Sequence, residues 1–564
     1  MNIKLISFAF LVGGLILINK HVNVNAFPTS QLKARQDPGT LGAFNIVGNS
    51  GVNAMHAVLV APRKVVFIDK VEQNQLKRPD GVSAISSEYD LDTNTAKPLG
   101  IYTNTFCSAG SWLGNGTLVE VGGDVVNGNA YRSGVQTLRL YDTGVGDWVE
   151  LEGIVPSNRW YPAMLTLPNG NVMVVGGSTA GAGKNKPEIN NPTYMIYPPP
   201  SGKLVDVPLD LLTTALPYNL YPIVHVIPNS EGKTLLFMFA NQMGIQYDLD
   251  AGKTLFNYPN IPGGIRSYPL TGSSVILPLS PTDNYNPTIM ICGGNKDFEI
   301  TSPAESSCGR LELTTANAAW EMDNFGGQGR VMPDSTILVD GSILFVNGAA
   351  TGRAGFRSGK GANSIFVNED PVFTPFLYDP FAKTYKTLAA STIPRMYHSV
   401  STLIPDGTVL IAGSNPQPDV TLDVKYPTEY RVEIFTPPYL YTQIPRPHII
   451  SLQTTSIDNN RINVNYGQEV TMIVQIKSNG SPPSLKAAII HHGFVTHSQN
   501  FSQRYVYLEI TNFWYDSTTP DQYILTIKLP PNPTVIAPGP SYIYVFNYDS
   551  PPLSGAPVLL TQAT

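Results

Sequence analysis

The sequence predicts an all-β protein, a seven-bladed Kelch-type β-propeller followed by a C-terminal immunoglobulin-like β-sandwich. Three observations carry that prediction. A hairpin unit recurs along the first two-thirds of the chain. Gly (49) and Pro (48) are abundant while 42% of the 564 residues remain hydrophobic, so the chain is turn-rich without low complexity. After a proline-rich stretch the repeat gives way to alternating strands of no fixed period.

The repeat is clearest at Asn115-Gly116, Asn169-Gly170, Asp340-Gly341 and Asp406-Gly407, each followed by an apolar run that ends in glycine. Asn-Gly and Asp-Gly suit type I′ hairpins, in which both central residues need positive φ. Weaker copies turn near Arg63, Gly232 and Pro287, and successive turns lie 53 to 66 residues apart. That length holds four short strands, one propeller blade, and the glycines after the second strand are those of Kelch repeats. A β-helix needs a shorter period, and no helical periodicity supports a solenoid. Beyond Thr436-Pro437-Pro438, strands are expected over 461–476, 485–490, 505–510, 523–529 and 542–547, enough for a small antiparallel sandwich. The expected divisions are a leader over 1–26, an N-terminal extension over 27–45, the propeller over 46–437 and the sandwich over 438–564.

Net charge is −6 and only 14% of residues are charged, so nothing points to nucleic acid or an anionic membrane as partner. Lys4, the apolar run Leu5 to Ile18 and Val24-Asn25-Ala26 read as a secretory leader, which makes the protein extracellular; a membrane anchor is the competing reading. No other stretch is long and apolar enough to span a bilayer, and there is no terminal lipid-anchor signal. Sequons at Asn115, Asn479 and Asn500 agree with export. Of the three cysteines, Cys292 and Cys308 close a modest loop and are expected to form a disulfide. Cys107 is left over, and an odd thiol in an oxidising compartment is buried, paired between chains or chemically used.

The phase of the repeat locates a site. About ten residues before each turn stands a distinctive residue: Phe106-Cys107, Trp160-Tyr161, Leu220-Tyr221 and Met396-Tyr397-His398, with Met55-His56 and Arg330 in two other units. Innermost blade strands run parallel around the channel, so residues at one phase collect at one mouth. Cys107 and Tyr161 stand at the same offset from their turns and are expected on neighbouring blades. A thiol, two phenols (Tyr161, Tyr397) and an imidazole (His398) around one mouth outline a metal site, and imidazole with phenolate suits copper. Each alone has a bland reading. A buried Cys is ordinarily a small hydrophobe, and Tyr221-Pro222 and Tyr268-Pro269 read as packing. The conjunction is what points to chemistry.

At these residues the sequence resembles the radical copper oxidases, and glyoxal oxidase more than galactose oxidase. The segments that carry the resemblance are Ala54-Met55-His56-Ala57, Phe106-Cys107-Ser108-Ala109-Gly110, Arg159-Trp160-Tyr161-Pro162, Gly327-Gln328-Gly329-Arg330, Arg395-Met396-Tyr397-His398 and Val495-Thr496-His497-Ser498-Gln499-Asn500. The resemblance covers roughly residues 45 to 560. It implies copper held by Tyr161, Tyr397, His398 and His497, with His497 delivered by a loop of the sandwich. His491 and His492 compete for that place; the context of His497, with Gln503-Arg504 after it, is the family's. It further implies a thioether between Cys107 and Tyr161, whose ring then holds a tyrosyl radical, and Tyr397 as general base. Trp160 and Trp112 are candidates to shield the radical, and Arg330 and His56 to touch substrate. The implied reaction oxidises a small aldehyde to a carboxylic acid while dioxygen becomes hydrogen peroxide, in a monomer without organic cofactor. A primary alcohol enters the same cycle, and a non-catalytic Kelch binding module is the reading from another class.

Overall fold

A computed structural model describes residues 40–125, 130–181, 183–314, 317–358, 365–453, 457–458 and 461–562. The expected leader lies outside the described residues. Among the described residues no helix is long and apolar enough to cross a membrane.

Seven sheets of the repeat surround one axis, each a meander of antiparallel strands. Their innermost strands are His56–Ala61, Ala109–Trp112, Ala163–Thr166, Ile223–Val226, Gly272–Ile276, Asp334–Ile337 and Ser399–Leu403. The hairpins that follow fall at the seven expected turns. The ring is closed by the two ends of the repeat: Ala43–Asn49 pairs antiparallel with Arg431–Thr436, so the first described strand becomes the outer edge of the seventh blade. Closure of this kind pairs edges that would otherwise stand open. The expected disulfide is present, with Cys292 and Cys308 directly opposite on adjacent strands of the fifth blade.

The glycine that ends the second strand has a steric reason. A Cβ at Gly122 would stand 2.2 Å from the carbonyl oxygen of Arg159 in the next blade, and one at Gly413 would stand 2.4 Å from that of Ala54. Within four of the blades a buried arginine ties the entry of the inner strand to the end of the second strand. Arg159 Nη1 donates to Gly176 O at 2.8 Å, Arg330 Nη1 to Asn347 O at 3.1 Å and Arg395 Nη1 to Gly413 O at 2.7 Å, and Arg266 makes the same bond to Gly293 O. An arginine therefore sits two residues before Tyr161, Tyr268, Met332 and Tyr397, fixing the entry to the inner strand.

The C-terminal domain is a sandwich whose two layers share one long bent strand. The first half of Arg504–Tyr515 pairs with Leu485–His491, and from Glu509 onward the strand pairs with Gln522–Lys528, with a register shift between Ile510 and Asn512. Met472, Val474, Leu525 and Ile527 of one layer meet Ile489, Val506, Ile543 and Val558 of the other. The stretch 461–476 is two strands, Arg461–Asn465 and Glu469–Gln475, because Tyr466-Gly467 turns between them. The strands His448–Leu452 and Ala556–Thr561 complete the layers.

One hairpin leaves the sandwich and enters the propeller. Phe494–Thr496 and Gln499–Phe501 form a finger that adds to the innermost strand of the first blade, His56 opposite Thr496 and Val58 opposite Phe494. Its tip is His497-Ser498, with φ of 43° and 68°. Two consecutive positive φ values are the mark of a type I′ turn, here without glycine or asparagine.

Candidate active site

The inner-strand entries carry the site. Cys107, Tyr161, Tyr221 and Met332 hold φ of 54°, 60°, 45° and 60°, and His398 holds 64°. Non-glycine residues avoid this region, each at a cost of about 1–3 kcal/mol, and such residues cluster where surrounding structure enforces them for function. Here the enforcement is a chain of backbone bonds from blade to blade: Tyr161 N donates to Cys107 O at 2.9 Å and Tyr221 N to Tyr161 O at 3.0 Å. The equal spacing of Cys107 and Tyr161 in the sequence is thus a direct contact of equivalent residues.

At the mouth, Cys107 Sγ lies 3.3 Å from His497 Nε2 and 4.0 Å from His398 Nε2. One ligand-type atom from each of these three buried residues lies within 4.8 Å of the others. The Tyr161 and Tyr397 rings face the same imidazole, with centroids 6.3 and 5.6 Å from that of His497. Tyr397 stacks on His398 with centroids 3.8 Å apart, and the two imidazoles meet edge to face at 4.9 Å. His497 is oriented from behind, where Nδ1 pairs with Thr496 Oγ1 at 2.6 Å and leaves Nε2 facing the cluster. Nδ1 of His398 is buried with no hydrogen-bond partner.

Electrostatics favour neutral donors here. Burial holds His497 and His398 well below the usual histidine pKa, His398 further lowered by His497. Burial likewise pushes the Cys107 thiol and the Tyr161 and Tyr397 phenols well up. Neutral imidazoles keep a lone pair for a metal, and a bound cation reverses the penalty on phenolates. Two imidazoles, a thiol and phenols, with one buried nitrogen unpartnered, fit a borderline-soft transition metal such as copper better than a hard, oxygen-seeking cation.

Several residues take places the sequence did not assign. Tyr268 Oη stands 3.0 Å from Tyr397 Oη, and its ring stacks on Tyr161 at 4.7 Å; Tyr221 stacks on His497 at 4.6 Å. Both belong to the site rather than to packing alone, and the Arg-x-Tyr pattern at Arg266-Ser267-Tyr268 was the signal that marks the first. Trp160 lies over Tyr161, centroids 5.1 Å apart and nearly parallel. Trp112 is at the hairpin end of its strand, beneath the Arg461 guanidinium, and does not shield Tyr161. Phe356, which carried no sequence signal, packs against Tyr397 and His398 at 5.4 and 5.5 Å.

Arg330 does not reach the mouth. It is fully buried in its own blade, bonded to Asn347 O and Thr374 O, with Phe376 4.7 Å away. His56 lies behind the finger, its Nε2 3.3 Å from Ser108 Oγ, which in turn bonds Glu120. Neither lines the small cavity of about 10 Å³ beside Tyr397, His398 and His497. His492 is held away from the mouth, between Leu403 O of the seventh blade (2.9 Å) and Tyr544 Oη of the sandwich (3.1 Å), and His491 lies in the strand leading to the finger.

A closed β-propeller whose axis is entered by a hairpin bearing an imidazole, opposite a thiol, phenols and a second imidazole, defines a protein with a buried metal-type centre on the propeller axis. The description "Glyoxal oxidase N-terminus" matches residues 60–439, and "Galactose oxidase-like, Early set domain" matches 446–558. The chain belongs to the glyoxal oxidase family. It is similar to "Aldehyde oxidase GLOX" of Vitis pseudoreticulata, 33% identical over 539 residues spanning 90% of this chain and 94% of that one. It is also similar to "Aldehyde oxidase GLOX1" of Arabidopsis thaliana, 34% identical over 550 residues spanning 90% and 82%. Among solved structures, a fungal alcohol oxidase of the AA5 family in complex with copper shares the fold, with a TM-score of 0.68 and 19% identity over 92% of this chain and 100% of that one.

Proposed function

We propose that this protein is a secreted copper-dependent oxidase that converts small aldehydes, of the glyoxal and methylglyoxal kind, to carboxylic acids and passes two electrons to dioxygen, giving hydrogen peroxide. The observation that carries this reading is the convergence of Cys107, His398 and His497 beside the phenols of Tyr161 and Tyr397. The names of the relatives support the aldehyde over an alcohol.

Copper held by Tyr161, Tyr397, His398 and His497 would acidify a bound aldehyde hydrate and supply one of the two oxidising equivalents. The chain's own residues account for the rest. Tyr397 takes the hydroxyl proton as general base, with Tyr268 Oη at 3.0 Å as a second proton-bearing group beside it. Tyr161 is the ring that a thioether to Cys107 Sγ would modify, and so modified it would supply the other oxidising equivalent and accept the hydrogen from the substrate carbon. Sulfur substitution makes that ring easier to oxidise, and the Trp160 face at 5.1 Å covers it. Phe106 and Phe356, stacked at 5.6 Å, rim the site with Trp160 and favour a compact substrate over a sugar ring. Aldehyde, water and dioxygen thereby give acid and hydrogen peroxide.

Two measurements test this. After copper loading in air, peptide mass analysis should find the peptides of Cys107 and Tyr161 joined, lighter by two hydrogens and stable to reductant. A peroxide-coupled screen should then show turnover of small aldehydes above primary alcohols. A Cys107 that stays fully alkylatable, with no peroxide from any aldehyde, refutes the proposal; turnover of alcohols alone refutes the substrate assignment.

A further inference from the structure

Among the described residues, most buried arginines are paired with a carboxylate or caged by several acceptors. Arg139 pairs with Glu120, Arg159 with Asp206 and Arg395 with Glu433. Arg330 lacks a carboxylate but is caged by two carbonyls and an aromatic face. Arg504, at the root of the finger and 7% exposed, donates only to Val226 O at 2.8 Å. Its Nη1 is buried without a partner, and among the described residues no carboxylate lies within ion-pair distance. Two histidines lie nearby rather than an acid: Arg504 lowers the pKa of both His225 and His491. Neither buried ring nitrogen of His491 has a side-chain partner, and the Pro540 backbone is the one polar group that reaches the ring.

These unpartnered groups face one space. A cavity of about 20 Å³ is lined by Arg504, His491, His225, Thr166, Ser502 and Ile536. A polar cavity needs about 10–15 Å³ to take one water-sized guest. It is separate from the copper-type site. Thr166 follows Tyr161 by five residues and His225 follows Tyr221 by four along the inner strands, so it lies roughly 15 Å further down the axis. An unneutralised guanidinium in such a place is costly unless something of opposite charge sits beside it.

We propose that this cavity is a binding site for a halide-sized monovalent anion, held by the unpartnered Nη1 of the Arg504 guanidinium with the His491 ring packed beside it. The guest neutralises the buried cation and ties the root of the finger to the third and fourth blades, at the opposite end of the hairpin from His497. Nothing in this site depends on the oxidase reading.

The test uses the full-length, copper-loaded protein crystallised with bromide as the only halide. The expected result is an anomalous bromine peak within hydrogen-bonding distance of Arg504 Nη1. In solution, bromide should raise the melting temperature by about 2 °C over gluconate, too large for the cavity, at equal ionic strength. Arg504→Met should abolish both effects and Arg504→Lys should retain part of them. Water in place of bromine at Arg504, or a melting temperature in the wild-type protein that does not respond to halide, overturns the proposal. The wild-type crystal decides the matter even if Arg504→Met does not fold.

Discussion

Gly110 is the point at which a single methyl group should disable the site without touching any ligand. It lies in the inner strand of the second blade, three residues after Cys107, with no positive φ to forbid alanine. A Cβ there would stand 2.4 Å from Phe494 Cε2, 2.5 Å from Cδ2 and 2.9 Å from Cζ. Carbon atoms prefer about 3.5–4.0 Å, so the Phe494 ring must retreat by about 1 Å. That ring is fully buried, packed against His56 at 5.5 Å, and close-packed interiors offer it no empty rotamer. The displacement therefore passes to the finger, whose tip three residues further on is His497. Functional constellations tolerate about 0.5 Å, and a 1 Å error can cost about 100-fold in rate. We expect Gly110→Ala to lower kcat and the yield of the Cys107–Tyr161 crosslink by about 10–100-fold, with an overpacking cost of about 1–3 kcal/mol. Copper titration followed by spectroscopy should show weakened or altered binding, and adding Phe494→Leu should recover part of the loss. Turnover and copper affinity within twofold of wild type, with His497 unmoved in a crystal structure, would refute the steric argument.

Three further outcomes follow from the same geometry. Arg395→Met strands the buried carboxylate of Glu433, 2.9 Å from Arg395 Nε, and should cost about 3–5 kcal/mol; Glu433→Gln added to it should restore most of that, read from urea midpoints. Asp334 is buried and its pKa is pushed up to about 8. Because the folded value is raised, its contribution is fully present below about pH 4 and is lost as pH rises through 8. Asp334→Asn should therefore raise the melting temperature at pH 8 and leave it unchanged near pH 4; equal shifts at both would contradict this. Asn500 is 7% exposed within the finger, so glycopeptide mapping should find its sequon unmodified, whereas Asn115 and Asn479 are exposed.

The repeat was legible because each blade must bury its own hairpin and turn back at fixed length, so Asn-Gly and Asp-Gly turns and trailing glycines recur at the blade period. The same regularity made Cys107 and Tyr161 neighbours on paper, since equal offset from the turn means equal height on the axis. Height is all that a phase encodes. Whether a side chain at that height faces the channel or the gap between blades depends on the sign of φ and on what the next blade presents. Arg330 therefore turned back onto its own blade, while Met332 two residues later took the positive-φ place. Tyr268 and Tyr221 stood at the right height all along, yet only ring closure, carrying the fifth blade round to the third and the seventh, revealed that their rings touch Tyr161, Tyr397 and His497. The preference for His497 over His491 and His492 came from its sequence context by resemblance, but the physical reason for it is tertiary. Only the tip of a hairpin that pairs with the first blade extends into the axis, and the linear chain holds no record of that long-range pairing between residues 56 and 496.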